Sequence, residues 1–256
     1  NHHVMGQTDT VRAIETSTRI LDGLEALGGE ATIADLDRHL SLSKSTIYKH
    51  LNTLRTANLV TKSGDEYRFG LRFLELGGYA REYDDIFSVA KPEVRQMAEE
   101  TGEVANLVFE EGGMAVYVFT AKGGQAVELD THLGKRVGLH STGLGKALLA
   151  TLSDEEIQTL VDERGLDRKT DHTITDEVKL FQEIEAIREE GIAYDTEEHI
   201  RGMGCVAAPI EVPGRRRASI SVTGPVSRVT TEELQHQYTQ IVRRAANVIE
   251  LNLSSQ

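Results

Sequence analysis

The spacing of apolar residues changes abruptly within the first 70 residues of the chain. Residues 11–27 carry apolar side chains every three or four positions, which predicts a helix, and the same spacing returns over residues 32–40 and 44–57. Residues 59–69 instead alternate on either side of Ser63-Gly64-Asp65, a pattern typical of a β-hairpin. Three helices followed by a hairpin predict a winged helix-turn-helix.

Polar residues and glycines mark the ends of these helices. Gly28-Gly29 ends the first helix. Thr32, with Asp35 three positions later, is a variant of the capping box at the start of the second helix. Residues 41–43 form a predicted tight turn before the third helix, and Asn58 is the predicted stop of that helix.

The rest of the chain predicts a linker and a larger domain. Residues 71–89 have helical spacing and no Pro- or Ser-rich tether, so a helix is expected to join the two domains. From Pro92 onward helices alternate with strands. Helices are predicted at 93–101, 143–152, 154–164, 177–190 and 230–253, and strands at 104–110, 114–121, 126–131, 192–195, 204–212 and 217–223. Separated strands with helices between them favour an α+β fold whose sheet has one covered face.

These elements divide the chain into four segments. Residues 1–5 are interpreted as a tag remnant, residues 6–70 as the winged helix-turn-helix domain, residues 71–90 as the linker helix and residues 91–256 as the C-terminal domain. The apolar runs are too short for a membrane span, and the single cysteine excludes a disulfide framework and a CxxC metal site. We therefore expect a cytoplasmic protein that uses no membrane and no cofactor.

Charge is distributed unevenly along the chain. The formal net charge of −13 by itself argues against binding to nucleic acid. Through Gly78, however, nine Lys and Arg stand against ten Asp and Glu, and residues 41–72 carry six Lys and Arg against two acids. Such a local basic stretch is the electrostatic footprint of a DNA-binding segment. The acidic remainder is typical of a halophile and predicts a halophilic archaeal source; an ordinary acidic cytoplasmic protein is the alternative.

The third predicted helix has the side chains that DNA contact requires. If Ile47, Leu51 and Leu54 face the core, the helical period places polar groups on the outer faces. A helix N-terminus attracts phosphate, and hydroxyl, amine and imidazole groups donate to phosphates and base edges. An ordinary solvated helix is the alternative, and the basic hairpin that follows favours DNA. The predicted DNA-binding residues are Ser43, Lys44, Ser45, Thr46, Tyr48, Lys49 and His50 of this helix and Lys62 and Arg68 of the hairpin.

Several motifs occur in the order found in one known family. Residues 42–51 (LSKSTIYKHL), closed by residues 67–70 (YRFG), resemble the DNA-binding domain of the isocitrate lyase regulator (IclR) family. Further signatures of the family are similar to residues 139–150 (LHSTGLGKALLA), 195–198 (DTEE), 205–209 (CVAAP) and 219–225 (SISVTGP). The resemblance covers almost the whole chain. It implies a GAF-like effector-binding domain with an antiparallel sheet, a homodimer or homotetramer, and control of a neighbouring catabolic gene set.

The resemblance also implies an effector pocket. It places seven residues around a small molecule: Gly143, Leu144, Asp195, Met203, Cys205, Ser221 and Thr223. Thr142 is able to cap the helix that Gly143 opens, and the free N–H groups at that end suit the oxygens of a carboxylate or a sugar acid. Ser221 and Thr223 lie two apart on a predicted strand, so they share a face. Gly204 departs from the many relatives that carry arginine before the signature cysteine, so the pattern does not identify the effector.

Catalysis and metal binding are alternatives for the C-terminal domain. Cys205 with His140 or His199 has the residue types of a nucleophile and its base, but a lone cysteine is usually a small buried apolar group. His132, His140 and His199 could also converge on a metal ion. The simpler roles are packing and hydrogen bonding to the backbone. We therefore predict no catalytic residue and no metal ligand.

The expected function is transcriptional regulation through double-stranded operator DNA and a small hydroxylated, keto or sugar acid. One recognition helix reads too few base pairs for useful specificity, which independently predicts at least a dimer. A ligand-sensing module that acts on a protein partner is the runner-up, and an enzyme in the C-terminal domain is the remaining alternative. The basic residues between positions 44 and 72 argue against both.

The acidic composition leads to a prediction about stability. Crowded carboxylates repel one another, and salt screens that repulsion. The melting temperature, followed by circular dichroism, should therefore rise with KCl into the molar range. A melting temperature that stays flat or falls as KCl is added would contradict the halophilic interpretation.

Overall fold

The computed structural model describes residues 10–83, 85–229 and 231–255. The chain forms two compact units, one that ends at Ala80 and one that begins at Arg81. The tag remnant predicted at residues 1–5 lies outside the described residues.

The N-terminal unit is a winged helix-turn-helix, as predicted. Its elements are α1 (Arg12–Ala26), β1 (Glu30–Thr32), α2 (Ile33–Leu40), α3 (Lys44–Thr56), β2 (Val60–Ser63) and β3 (Glu66–Phe69). The three strands form an antiparallel sheet in the order β1-β3-β2. The short strand β1 was not predicted, because three residues are too few to show an alternation.

Local hydrogen bonds fix the ends of α2 and α3. The amide of Asp35 donates to Thr32 Oγ1 at 3.2 Å and the amide of Thr32 donates to Asp35 Oδ2 at 3.0 Å, which completes the predicted capping box. Ser43 caps α3 by accepting from the amide of Thr46 at 3.2 Å. Asn58 follows α3 with a φ of 60°, the left-handed conformation that ends a helix.

The apolar faces of the three helices meet in one core. Ile20 and Leu24 of α1 pack with Ile47, Leu51 and Leu54 of α3, and each is buried. The inward orientation predicted for the three apolar residues of α3 is therefore confirmed. Their burial leaves the opposite face of α3 exposed.

The predicted single linker helix is wrong, because the chain contains two helices there. α4 (Arg72–Arg81) is followed by α5 (Ile86–Thr101), which runs through Pro92, the residue expected to begin a new segment. Proline inside a helix costs about 3 kcal/mol. Burial of the apolar face of α5, including Phe87, Val94 and Met97, compensates for that cost.

The C-terminal unit is built on a six-stranded antiparallel sheet. Its strands are β4 (Val104–Glu111), β5 (Met114–Lys122), β6 (Arg136–Gly138), β7 (Ala193–Thr196), β8 (Met203–Ile210) and β9 (Ala218–Pro225). The spatial order is β6-β5-β4-β9-β8-β7. This order brings strands from both ends of the unit together in the centre of the sheet.

One predicted strand is absent from this sheet. Residues 126–131 alternate in sequence but form no strand, and β6 pairs with the start of β5 instead. Exposed ion pairs hold the segment, since Glu128 binds Lys122 at 2.7 Å and Asp130 binds Lys135 at 2.8 Å. The alternation therefore reflects side-chain pairing at the surface and not a hydrogen-bonded ladder.

Helices cover both faces of the sheet, so the expectation of one covered face is wrong. One face packs against α5 and α10 (Glu232–Ser254). The other face packs against α6 (Gly143–Ala150), α7 (Asp154–Arg164) and α8 (Glu177–Glu190). A short helix, α9 (Val226–Val229), follows β9. None of the helices in the described ranges combines the length and the apolar composition that a membrane span requires.

Candidate functional site

The outer face of α3 carries most of the residues predicted to touch DNA. Ser43, Lys44, Ser45, Tyr48 and Lys49 are exposed, and the Tyr48 side chain keeps 54% of its surface in solvent. Two lysines and one phenol are thus available on α3, and the hydroxyls of Ser43 and Ser45 lie at its N-terminus. Such groups can donate to phosphates and to base edges.

Four of the residues predicted on α3 and its N-cap also form hydrogen bonds within the unit. Besides capping the helix, Ser43 Oγ lies 3.0 Å from Ser45 Oγ. Thr46 is half-buried, and its Oγ1 lies 2.9 Å from Ser43 Oγ. His50 Nδ1 lies 2.8 Å from Ser17 Oγ of α1. The hydrogen bond of His50 ties α3 to α1, which gives this histidine a structural role that the sequence did not indicate.

The hairpin presents its two predicted cations differently. Lys62 Nζ lies 5.4 Å from the centroid of the Tyr67 ring and stays exposed. Arg68 is paired with Glu30, its direct cross-strand neighbour, and with Glu66 at 3.3 Å. The charge of Arg68 is therefore balanced by two carboxylates, whereas Lys62 stacks on an aromatic ring.

In the C-terminal unit a cross-strand row of polar residues lies under the start of α6. Asp195 of β7 is paired with Cys205 of β8, and Cys205 with Thr223 of β9. These three residues share one face of the sheet and, together with Leu144 and Met203, line a cavity of about 40 Å³. We call this space the effector cavity. It has room for a few water molecules.

Two of the seven residues predicted for the pocket do not line this cavity. Gly143 lies against its base, because a Cβ built on Gly143 would be 3.0 Å from Cys205 Sγ. Ser221 is fully buried, and Asn106 Nδ2 approaches its hydroxyl at 3.5 Å. Five of the seven residues therefore reach the cavity directly.

Eleven further residues line the cavity, and the sequence singled out only Thr142, His199 and Gly204 among them, for other reasons. They are Asn106, Tyr117, Leu129, Asp130, Thr131, Lys135, Val137, Thr142, His199, Ile200 and Gly204. Asn106 was the one detectable signal, as an amide within the otherwise apolar run that forms β4. The segment around residues 129–131 reaches the cavity through the tertiary fold, which no local pattern reveals.

A buried ion network stands next to the cavity. Lys146 of α6 is completely buried and donates to Glu183 Oε1 at 2.8 Å and to Glu198 Oε1 at 2.7 Å. Burial lowers the pKa of Lys146, but the two carboxylates raise it by more, so the ammonium group stays charged. Glu198 Oε2 is buried without a hydrogen-bond partner. The amide of Glu198 donates to Asp195 Oδ1 at 2.8 Å, which connects the network to the cavity.

Asp195, the acid in the effector cavity, binds its proton more tightly than an ordinary aspartate does. Burial, and secondarily the nearby Glu198 carboxylate, raises the pKa of Asp195 to about 7. Near neutral pH this side chain therefore exists in both states, as a hydrogen-bond donor and as an anion. Burial also lowers the pKa of the neighbouring His199, which favours neutral imidazole.

The residues that suggested catalysis or metal binding do not form such a site. Burial raises the pKa of Cys205 to about 12, so the thiolate that a nucleophile requires is disfavoured. His140 Nε2 lies 3.0 Å from the carbonyl oxygen of Asp167. Within the described ranges no three His, Cys, Asp or Glu side chains come close enough to hold a metal ion. The possible convergence of His132, His140 and His199 on a metal is therefore wrong for this structure.

Comparisons with known families match both units of the chain. Residues 80–251 match the family described as bacterial transcriptional regulator IclR, C-terminal. Residues 15–62 match the family described as bacterial regulatory protein, arsR family.

Two known proteins are similar over nearly the whole length. The HTH-type transcriptional repressor AllR of Escherichia coli K12 is 33% identical over 241 residues, which cover 93% of this chain and 89% of that protein. AllR of Salmonella typhimurium is 33% identical over 241 residues, which cover 93% of this chain and 88% of that protein.

Solved structures have the same fold. The IclR protein of Thermotoga maritima superposes with a TM-score of 0.76 at 28% identity, covering 94% of this chain and 98% of that chain. An IclR homologue from Microbacterium hydrocarbonoxydans, in complex with 4-hydroxybenzoate, superposes with a TM-score of 0.83 at 21% identity, covering 95% and 100%. At that lower identity the likeness concerns the fold alone.

The raised pKa of Asp195 predicts a distinct pH dependence of stability. Between about pH 4 and pH 7 the folded protein holds a proton that the unfolded chain has lost, so this residue's contribution to the free energy of unfolding falls as the pH rises through that window. Asp195→Asn keeps the acceptor oxygen and removes the titration. The difference in free energy of unfolding, wild type minus variant, should therefore decrease from pH 4 to pH 8 in urea titrations.

A matched control is Asp65→Asn, which removes a carboxyl group from the exposed hairpin turn. A difference between wild type and Asp195→Asn that stays constant over the same pH range would show that the cavity does not hold a proton on Asp195.

Proposed function

The chain belongs to the IclR family of DNA-binding transcriptional regulators, and we propose that it controls a catabolic gene set in response to a small-molecule effector bound in the effector cavity. It is a regulator and not an enzyme. The observation that carries the proposal is the row of Asp195, Cys205 and Thr223 beneath the N-terminus of α6. In this row, hydrogen-bonding groups of three strands converge on one enclosed space.

The chemistry of the cavity favours a small hydroxylated, keto or sugar acid. Thr223, Asn106 and Tyr117 offer hydroxyl and amide groups, while Asp195 can accept from a hydroxyl or donate to an oxyanion. Backbone N–H groups at the start of α6 favour the anionic end of such a ligand. A small aromatic acid is the next choice, and 4-hydroxybenzoate, bound by the structural neighbour, belongs to that class.

A ligand of this size must enlarge the cavity. Drug-sized sites commonly measure 300–1,000 Å³, whereas this cavity encloses about 40 Å³. Met203 is half-buried with three rotatable bonds, and residues 126–131 form no strand, so both can move at modest cost. Displacement of this wall is a direct way in which a ligand could change the preferred conformation of the domain.

Operator contact is proposed for the outer face of α3. Lys44 and Lys49 are placed for phosphate, and Thr46 and Tyr48 for base edges, with Lys62 contributing from the hairpin. Arg68 is the weakest member of the predicted set, since Glu30 and Glu66 already balance its charge. A homodimer or homotetramer is part of the proposal, because two recognition helices are needed to read a specific operator. A cytoplasmic location and a halophilic source remain predictions from the sequence.

Loss of Lys49 tests the DNA-binding surface. Lys49→Ala should weaken binding to all operator variants and reduce the slope of log K against log salt by about one, because one phosphate contact is lost. Thr46→Ala or Tyr48→Phe should instead change sequence preference. Fluorescence anisotropy with the upstream DNA of the gene measures both effects.

Lys179→Ala removes an exposed lysine of α8 and serves as the matched control. If Lys49→Ala has the same affinity and the same salt slope as this control, α3 does not dock on DNA in the proposed way.

A pair of substitutions tests the effector cavity. Thr223→Val removes one hydroxyl at nearly constant volume, so it should weaken binding of the effector about tenfold. Thr196→Val, an exposed position on β7, should leave binding unchanged. Calorimetry with glycerate, pyruvate and 4-hydroxybenzoate provides the measurement, with the operator present and absent.

Coupling between the operator-binding surface and the effector cavity must be reciprocal. If an acid changes operator affinity, the operator must change the affinity for that acid by the same factor, typically 5–150-fold. An acid that binds equally well to the wild type and to Thr223→Val would place the effector site elsewhere.

A further inference from the structure

A second cavity lies in the C-terminal unit beside the start of α5. It is an open groove of about 380 Å³. Its lining includes Arg81, Phe87, Lys91, Arg95, Phe119 and Thr131, and we call it the basic groove. The volume lies within the range of small-molecule sites.

Positive charge is concentrated in the basic groove although the chain carries a net charge of −13. Arg81 pairs with Glu82 at 3.2 Å, and Lys122, at the edge of the groove, pairs with Glu128 at 2.7 Å. Neither Lys91 nor Arg95 forms an ion pair with any residue that the structure describes. Two positive charges in this groove therefore have no carboxylate partner among the described residues.

Two aromatic rings hold these cations in place. Lys91 Nζ lies 5.5 Å from the centroid of Phe87 and 5.9 Å from that of Phe119, and Arg95 Cζ lies 5.5 Å from the centroid of Phe119. The Arg81 guanidinium stacks on Phe87 at 4.3 Å. The rings themselves pack edge to face at 6.2 Å. Cations fixed in this way lose little conformational entropy when an anion binds.

Two residues that line the basic groove also carry unsatisfied polar atoms. Only three buried side-chain nitrogen or oxygen atoms among the described residues have no hydrogen-bond partner. Two of them, Arg81 Nε and Thr131 Oγ1, belong to residues that line this groove. A guanidinium N–H and a hydroxyl that lack partners match the acceptor oxygens of an anion.

We propose that the basic groove binds a small dianion, such as a phosphate monoester or a dicarboxylate, as a second ligand. The two uncompensated charges on Lys91 and Arg95 set the charge of the ligand, and Arg81 and Thr131 supply hydrogen bonds to its oxygens. A monoanion would leave one of the two cations unbalanced. The concave shape and limited volume select a small molecule.

The position of Thr131 connects this groove with the effector cavity. Thr131 lines both spaces, on the segment that also contributes Leu129 to the cavity and Leu133 to the groove. A dianion that orders Thr131 would therefore change the wall of the effector cavity. This consequence rests on the proposed function, whereas binding of the dianion does not.

Calorimetry and thermal melting of the full chain test the proposal without operator or effector. Inorganic phosphate and succinate are titrated separately at constant ionic strength in KCl, with acetate as the monoanion. Saturable binding of at least one dianion, accompanied by a rise in melting temperature, is expected. Comparison of the phosphate titration with the succinate titration distinguishes a phosphate ligand from a dicarboxylate. Acetate should bind at least about tenfold more weakly, because it balances only one charge.

Substitutions in the basic groove test whether the dianion binds there. Lys91→Gln and Arg95→Gln should each weaken dianion binding about tenfold, whereas Lys179→Gln, the same change of charge on exposed α8, should have no effect. No saturable binding of either dianion by the wild type, or equal binding by Lys91→Gln and Lys179→Gln, would overturn the proposal. A lower oligomeric mass for Arg95→Gln in light scattering, with no dianion bound by the wild type, would identify the groove as a contact for an acidic surface of a second copy.

Discussion

One buried cation holds the functional half of the C-terminal unit together. Lys146 has no exposed surface and bridges Glu183 of α8 and Glu198 of the loop after β7. A buried charge persists only with partners, and removal of one partner typically costs about 3–5 kcal/mol. Close backbone packing adds a second constraint, because a Cβ on Gly145 would lie 2.2 Å from the carbonyl oxygen of Leu139. Together these interactions fix the position of α6 above the sheet.

The same bridge determines the character of the effector cavity. Lys146 engages one oxygen of Glu198 and leaves the other without a partner. The Glu198 carboxylate stands close to Asp195, and its charge adds to burial in raising the pKa of that acid. Burial is the main cause of this raised pKa, and the Lys146 ammonium opposes it, so the acid of the binding cavity titrates near neutral pH. Stability and ligand chemistry depend on the same three side chains.

The parts of the structure that follow local rules could be predicted from the sequence. The capping box at Thr32, the buried face of α3 and the presence of Asp195 and Cys205 in one pocket belong to this class, since each depends on residues close in sequence or on a family motif. The failures involve long-range competition. Pro92 lies inside α5 because packing on the sheet outweighs the lost hydrogen bond. Residues 126–131 alternate like a strand, but β6 takes the place beside β5. The burial of Lys146 was not predicted, since no local pattern reveals two partners 37 and 52 positions away.

On a chain this acidic, pairing distinguishes structural cations from those available to ligands. The chain has 41 acidic residues against 28 Lys and Arg, so a shortage of carboxylates does not explain why a cation lacks a partner. Arg68 and Lys146 are balanced, and both act within the fold. Lys49 and Lys91 form no ion pair in the described parts of the chain, and each lies where an anion can approach, one on α3 and one in the basic groove. Each uncompensated cation adds to the local potential that attracts an anion. Position must therefore be considered together with pairing, because a cation that a carboxylate already balances attracts an added anion less strongly.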